Sequence, residues 1–373
     1  MSASIRVLLA DDSAVVRRLL KETFSSHPDI EVVATAPNGQ IMLSQIDSAR
    51  PDVVVLDVEM PVMDGISALK ILRAKDRFLP VVMFSAKTVS GARATLDALS
   101  LGASDYVSKP TGTGHVQAAI QYVNDNLVPL IRQWGGRSNR ARNNPIKLES
   151  KSKHVNPEPE ADEKMDGKRT SASVVAIGAS TGGPNALATV LSGLPARLAV
   201  PVLIVQHMPA VFTAMLAERL DKVCPLRVRE AYDGATLEAG DVWIAPGDFH
   251  MTVSERNGQV IVQTNQAAAE NSCRPSVDVL FRSVVDVYGE RTLGVILTGM
   301  GKDGFAGCRR ISQAGGYVVA QDEESSVVWG MPRVVAEAGV ANRVRPLSRI
   351  AVDITTGVSV AASMPTVTAG AAR

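Results

Sequence analysis

Two sets of residues in this chain have the types and spacing to do chemistry. The first centres on Ser180 in GASTGGP (178–184), directly after the apolar run SVVAI. A glycine-rich turn at such a place can offer bare backbone N–H groups to a phosphate at a helix N-terminus. The same G-x-S-x-G pattern can instead hold Ser180 on a tight elbow as an acyl-transfer nucleophile. A serine hydroxyl is a weak nucleophile without a base in hydrogen-bond reach, and the base needs an acceptor to fix its tautomer. His207, which closes VPVLIVQH, and Asp303, in LTGMGKD, supply those two groups. The order Ser, His, Asp differs from the Ser, Asp, His order of the α/β-hydrolases and marks a separate arrangement. His250 in APGDFHM is a rival base, and Cys308 in GFAGCRR is a rival nucleophile that reads better as a core thiol on a helix.

The second set is built from carboxylates. Asp11 and Asp12 close IRVLLADD, Asp57 stands in LDVEMPVMDG, Ser85 closes PVVMFS, and Lys109 lies in SKP. Three converging carboxylates repel one another unless a cation sits among them. An all-oxygen donor set suits a hard ion such as Mg²⁺, which also partners phosphate oxygens. A carboxylate such as Asp57 can attack a phosphoryl donor, with Lys109 and Ser85 binding the new phosphoryl oxygens.

These residues must be positioned by strands. Up to about residue 130, the β-branched runs IRVLLA, EVVATA, DVVVLD, PVVMFSA and SDYVSKP alternate with segments of helical period. Val15, Val16, Leu19, Leu20 and Phe24 give the first such helix. The pattern predicts a flavodoxin-like, doubly wound parallel sheet, in which functional groups collect beyond the carboxyl ends of the strands. Residues 131–170 are rich in Asn, Ser, Pro, Lys and Glu and read as a flexible linker whose basic and acidic halves roughly cancel. Alternation resumes with SVVAIGAS, VPVLIVQH, DVWIAP, QVIVQT, LGVILTG and GYVVAQD, a second α/β block with a mainly parallel sheet over 171–352. Residues 353–373 are small and polar and are expected to be disordered.

Bulk properties narrow the function classes. The 373 residues include 46% hydrophobic and 21% charged, a globular composition with room for two domains. A net charge of +1 and only 4% aromatics argue against nucleic-acid binding. No apolar run approaches the roughly 20 residues of a bilayer span, so no membrane insertion is expected. MSASIRVLLADD reads as a strand rather than a signal peptide. Cys224, Cys273 and Cys308 are odd in number and outside any C-x-x-C, which fits a reducing, cytoplasmic setting.

Residues 4–130 resemble the receiver domain of two-component response regulators. That resemblance implies Asp57 as phospho-acceptor, Asp11 and Asp12 with Asp57 as Mg²⁺ holders, Ser85 and Lys109 as the phospho-switch, Tyr106 as its aromatic element, and a histidine kinase as phosphodonor. GASTGGP, QHMP, IAPGDFHM, RPSVDVLF and LTGMGKDG resemble, in order and spacing, the catalytic domain of the chemotaxis protein-glutamate methylesterase (CheB) family. With the receiver and linker, the likeness spans about residues 4–350. It implies Ser180 as nucleophile, His207 as general base, Asp303 as its orienting carboxylate, the Met300 N–H as an oxyanion donor and Thr181 in the immediate site. It further implies methyl-accepting chemoreceptors as substrates, with receptor-glutamine deamidation as a companion reaction. The implied esterase chemistry needs no cofactor, and the expected location is the cytoplasm, with recruitment to chemoreceptor arrays. Many family members carry His before RPSVD, where this chain has Cys273. A response regulator with a non-catalytic binding output domain is the alternative. A nucleotide-phosphate loop at GASTGGP would lack both the G-x-G-x-x-G order and a G-K-[ST] ending.

Overall fold

The structure is a computed structural model that describes residues 4–86, 88–110, 116–143 and 171–358, with side chains up to 136 in the second-last of these segments. The chain divides into two compact units, 1–164 and 165–373. The first contains β1 (Ile5–Ala10), α1 (Ala14–Ser25), β2 (Ile30–Ala36), α2 (Gly39–Ala49) and β3 (Val53–Asp57). It continues with α3 (Gly65–Lys75), β4 (Val81–Ser85), α4 (Val89–Ser100), β5 (Asp105–Ser108) and α5 (Val116–Asn143).

Its five strands run parallel in the order β2-β1-β3-β4-β5. VVVLD and VVMFS are buried along their whole length, the continuous apolar signature of strands covered by helices on both faces. The order reverses between β1 and β3, so the loops after those strands part and leave a crevice between them. Polar side chains at the strand exits start the helices: Ser13 accepts from Val16 N in α1, and Asp64 accepts from Ser67 N in α3.

Two expected boundaries move. The linker was expected from residue 131, but α5 runs on to Asn143. Pro129 inside it removes one backbone donor. The helix continues because Leu127, Val128, Leu130 and Ile131 are buried against the first unit's core. The tail was expected from 353, but the last helix extends to Val358, with Ile354 and Val358 buried. Residues 144–170 and 359–373 lie outside the described residues.

The second unit begins with β6 (Val174–Ala179), α6 (Gly183–Ser192), β7 (Val202–Gln206), α7 (Phe212–Val223), β8 (Arg227–Glu230) and β9 (Asp241–Ile244). An antiparallel ribbon of β10 (His250–Arg256) and β11 (Gln259–Asn265) follows, then α8 (Val277–Tyr288), β12 (Thr292–Ile296) and α9 (Phe305–Gln313). β13 (Tyr317–Gln321), α10 (Met331–Glu337), β14 (Arg343–Arg345) and α11 (Leu347–Val358) complete it. The main sheet has seven strands, all parallel, in the order β14-β13-β12-β6-β7-β9-β8. β6 lies at its centre, between β12 and β7, where the winding reverses; this is the second switch-point crevice. QVIVQT is β11 of the ribbon rather than a strand of the main sheet.

Candidate active site

Strand register places the serine beside the histidine. Ala179 pairs with Gln206 across β6 and β7, so Ser180 and His207 leave neighbouring parallel strands at the same level. Backbone bonds hold both exits: His207 N donates to Ala179 O at 3.1 Å, and Ser180 N donates to Thr298 O at 3.0 Å on the other side. The elbow itself needs glycine at two successive positions. Gly182 has φ +74° and sits against Val327, while a Cβ on Gly183 would lie 1.9 Å from Gln206 Oε1. That proximity lets the buried Gln206 amide donate to Ser180 O at 2.9 Å and to His207 O at 3.2 Å, tying the two residues together. Pro184 occupies the first turn of α6, where its missing N–H costs nothing.

Asp303 reaches the histidine from the loop after β12. His207 Nε2 and Asp303 Oδ2 are 2.8 Å apart. Asp303 is buried and takes five further bonds. Val277 N (2.7 Å) donates to Oδ2, and the Ser276 hydroxyl (2.8 Å), Asn271 Nδ2 (2.9 Å), Gly304 N (3.0 Å) and Asp278 N (3.2 Å) donate to Oδ1. Two of those donors are the first N–H groups of α8, where an anion is favoured. Burial alone would raise the Asp303 pKa. The bond and charge of His207, then the Val277 N–H and Ser276 hydroxyl, overcome that and hold it at about 2. Burial of the His207 ring favours its neutral form, but the bonds to Asp303 and to Cys273 outweigh it and raise its pKa to about 9.

The remaining ring nitrogen, Nδ1, faces the Cys273 sulfur at 3.6 Å. Among the described residues the Ser180 hydroxyl has no hydrogen-bond partner, so the structure aligns the His–Asp pair and leaves the Ser–His link open. The N–H groups of Thr181 and Met300, on the two loops flanking Ser180, likewise donate to no other described group. Thr181 is half-buried, and Met300 is exposed.

The two rivals fall away on geometry. His250 is buried with both nitrogens engaged: Ser276 N donates to Nδ1 at 3.2 Å, and Nε2 lies 3.1 Å from Ala268 O. Cys308 is fully buried in α9, and burial raises its thiol well above the usual range.

Several supporting residues gave no signal in the sequence. Thr298 donates from Oγ1 to Thr181 O at 2.9 Å and receives Val328 N at 2.9 Å; its own N–H donates to the buried Gln321 Oε1 at 2.8 Å. Gln206 and Gln321 each occupy the last place of a strand, where a polar residue after an apolar run was the one available clue. Ser276 and Asp278 sit within RPSVD, but nothing in that string points to Asp303.

In the first unit, Asp11 and Asp57 are buried and Lys109 Nζ bridges them at 2.8 and 2.7 Å. Asp12 is exposed, and one oxygen from each of Asp11, Asp12 and Asp57 lies within 4.8 Å of the others. Burial raises the Asp57 pKa to about 6; Lys109 opposes that and Asp11 adds to it. Burial works against the Lys109 charge, yet its bonds to Asp11 and Asp57 raise its pKa. An oxygen-only cluster with this residual charge fits a hard divalent cation. Ser85 is at the expected strand end, but its buried hydroxyl donates to Gly91 O at 3.2 Å in the first turn of α4 rather than towards Asp57. Tyr106 is half-buried on β5, opposite Met83.

The two sheets and their crevices define a receiver-type unit joined to a second α/β unit with a serine, histidine and aspartate at its switch point. Both units have counterparts among known proteins. The CheB methylesterase family profile matches residues 175–354, and the response regulator receiver domain profile matches residues 7–121. A Trichodesmium erythraeum protein named protein-glutamate methylesterase/protein-glutamine glutaminase is 46% identical over 353 residues, covering 94% of this chain and 97% of that one. A Nocardioides protein of the same name is 45% identical over 350 residues, 94% of each chain. The crystal structure of the Thermotoga maritima CheB methylesterase catalytic domain is 42% identical, spans 50% of this chain and 99% of its own, and gives a TM-score of 0.49. The chain belongs to the CheB methylesterase family. No described helix is long and apolar enough to cross a membrane.

Proposed function

We propose that this chain hydrolyses glutamate γ-methyl esters on chemoreceptors, with Ser180, His207 and Asp303 as its catalytic residues. The observation that carries the reading is the His207–Asp303 bond formed one strand away from Ser180 at the same level of the sheet. Asp303 occupies Nε2, so Nδ1 is the nitrogen left to serve Ser180. Ser180 Oγ attacks the ester carbonyl carbon while its proton passes to Nδ1. The N–H groups of Met300 and Thr181 donate to the oxyanion, a role their free state suits. Collapse breaks the bond to the methoxy oxygen, which takes the proton from His207 and leaves as methanol. Water then attacks the glutamyl-Ser180 ester, giving its proton to Nδ1, and glutamate and free Ser180 result. A receptor glutamine would follow the same path with ammonia as the leaving group.

The receiver residues have a matching role. Asp57 accepts the phosphoryl group from a histidine kinase, and Asp11, Asp12 and Asp57 would hold Mg²⁺, which when bound offsets the charge on the phosphoryl oxygens. Lys109, already bridging Asp11 and Asp57, is placed to pair with a new phosphoryl oxygen. Ser85 would have to release Gly91 O to do the same. Tyr106 is the aromatic element of that switch.

Methanol release from methylated receptor membranes tests this. Ser180→Ala should abolish it while Asp57 is still phosphorylated; methanol release at the wild-type rate in that variant would end the assignment.

A further inference from the structure

The catalytic scheme leaves Cys273 unused, although its sulfur faces His207 Nδ1 at 3.6 Å. The residue is firmly presented. Glu270 and Cys273 exchange backbone hydrogen bonds of 3.1 and 2.9 Å around a two-residue turn. Asn271 and Ser272, at its centre, have φ of 51° and 63°. Arg282 clamps the Glu270 carboxylate at 2.7 and 2.6 Å, and Asn271 bonds to both Asp303 and Asp278. The turn that carries the thiol is therefore anchored to the acid that holds the histidine. The Cys273 sulfur also donates to Asn271 O at 3.4 Å, as the Cys224 sulfur does to Leu191 O, but burial raises the Cys224 thiol above its usual range and Cys308 is fully buried.

We propose that Cys273 is a thiol-modification site whose occupancy by a low-molecular-weight disulfide switches the esterase off. Cys273 passes its proton to His207 Nδ1 and its sulfur attacks one sulfur of the disulfide. The disulfide S–S bond breaks and a new S–S bond forms at Cys273. The departing thiolate takes up a proton, so one disulfide is consumed and one thiol released. The group now fixed on Cys273 stands over Nδ1, the nitrogen that Ser180 requires, while Asp303 still holds Nε2. This inference rests on the assignment of His207 as base.

Glutathione disulfide is the probe. The full chain is incubated with it, mapped by peptide mass spectrometry, and assayed for methanol release before and after dithiothreitol. The map should place a mixed disulfide on Cys273 ahead of Cys224. Activity should fall about a hundredfold, the lower part of what a general base supplies, and return on reduction. Cys273→Ala should keep its own untreated activity under the same treatment. Labelling of Cys224 first, full activity with Cys273 modified, or wild-type inhibition of Cys273→Ala would each overturn the proposal. An untreated chain that releases no methanol would remove the esterase reading and the switch with it, whereas the peptide map alone decides which thiol reacts.

Discussion

Asp303 and Asp278 cap each other's helices. Asp303 accepts from Val277 N and Asp278 N in the first turn of α8, the helix that carries Asp278. Asp278 in turn accepts from Gly307 N, at 2.7 Å, in the first turn of α9, the helix that follows Asp303. Asn271 Nδ2 donates to both carboxylates. The acid that orients His207 is thus fixed through two helix starts, each of which favours a negative charge. Burial raises the Asp278 pKa against the pull of Gly307 N, and the Asp303 charge adds to the rise, so this support stands close to a like charge.

Removing the second cap should loosen the first. Asp278→Ala leaves Gly307 N without its buried acceptor, which costs about 1–3 kcal/mol. The expected readout is a lower denaturant midpoint for the second unit, together with slower ester hydrolysis. Asp278→Asn, which keeps an acceptor oxygen, should recover part of both. An unchanged midpoint in Asp278→Ala would mean that the cap carries no stability.

The pH dependence follows from the His207–Asp303 pair. His207 acts as base only when deprotonated, and its pKa is raised to about 9. Below that value the competent fraction grows with pH, so kcat/KM should climb from neutrality, pass half its maximum near pH 9 and level off above it. Asp303→Asn removes the charge that most supports the cation, so the inflection should move down. The maximum rate should fall by about 10⁴, as for a lost orienting carboxylate. The stability term has the opposite sense to activity. The raised His207 pKa contributes stability in full below its ordinary value of 6.5, and that contribution is lost as pH rises through about 9. A pH profile that is flat between 6 and 9 would contradict the assignment of His207 as the base.

Much of this architecture can be read from residue order, and the limits are physical. Parallel strands buried on both faces announce themselves as continuous apolar runs, and switch-point chemistry must follow their carboxyl ends, which is why Ser180, His207, Asp11 and Asp57 stand out. Asp303 is harder, because it lies seven residues beyond Ile296 and is returned to the site by α8. Thr298 and Asp278 act through contacts distant in sequence, to which no local pattern corresponds, and Gln206 and Gln321 show only as polar residues closing apolar runs. The helix past residue 131 is hidden by the polar composition that follows it, and the local cost of Pro129 within it is overridden by the buried side chains around it. The His207–Cys273 contact likewise depends on a turn 66 residues from the histidine.

Gly183 offers a test of the elbow that leaves every polar group of the triad in place. A Cβ there would meet Gln206 Oε1 at 1.9 Å, far inside contact distance, and Ala179 Cβ at 3.0 Å. Gly183→Ala must therefore displace the Gln206 amide and its bonds to Ser180 O and His207 O. Because those bonds set the position of the two reacting residues, kcat should fall by roughly 10²-fold, the loss expected of a misplacement near 1 Å. Phosphorylation of Asp57, in the other unit, should be unaffected. A normal kcat would mean that the elbow tolerates a shifted Gln206.

A receiver and an esterase joined in one chain predict that phosphorylation of Asp57 regulates ester hydrolysis. Each has its own core and sheet, and one way for a phospho-switch to act on the esterase is to change an equilibrium between states of the whole chain. Covalent joining of the two units in one chain gives an effective concentration in the millimolar range. A contact with a dissociation constant of roughly 0.1 mM, far too weak to persist between separate molecules, would then hold about nine-tenths of the chains inhibited. Phosphorylation at Asp57 that abolished the contact would raise methanol release by up to about tenfold. The isolated fragment 171–358 should match the phosphorylated chain, and Asp57→Asn should stay at the unphosphorylated level with any phosphodonor. Equal rates for the fragment and the unphosphorylated chain would rule out inhibition by the receiver and point to phosphorylation acting through receptor recruitment.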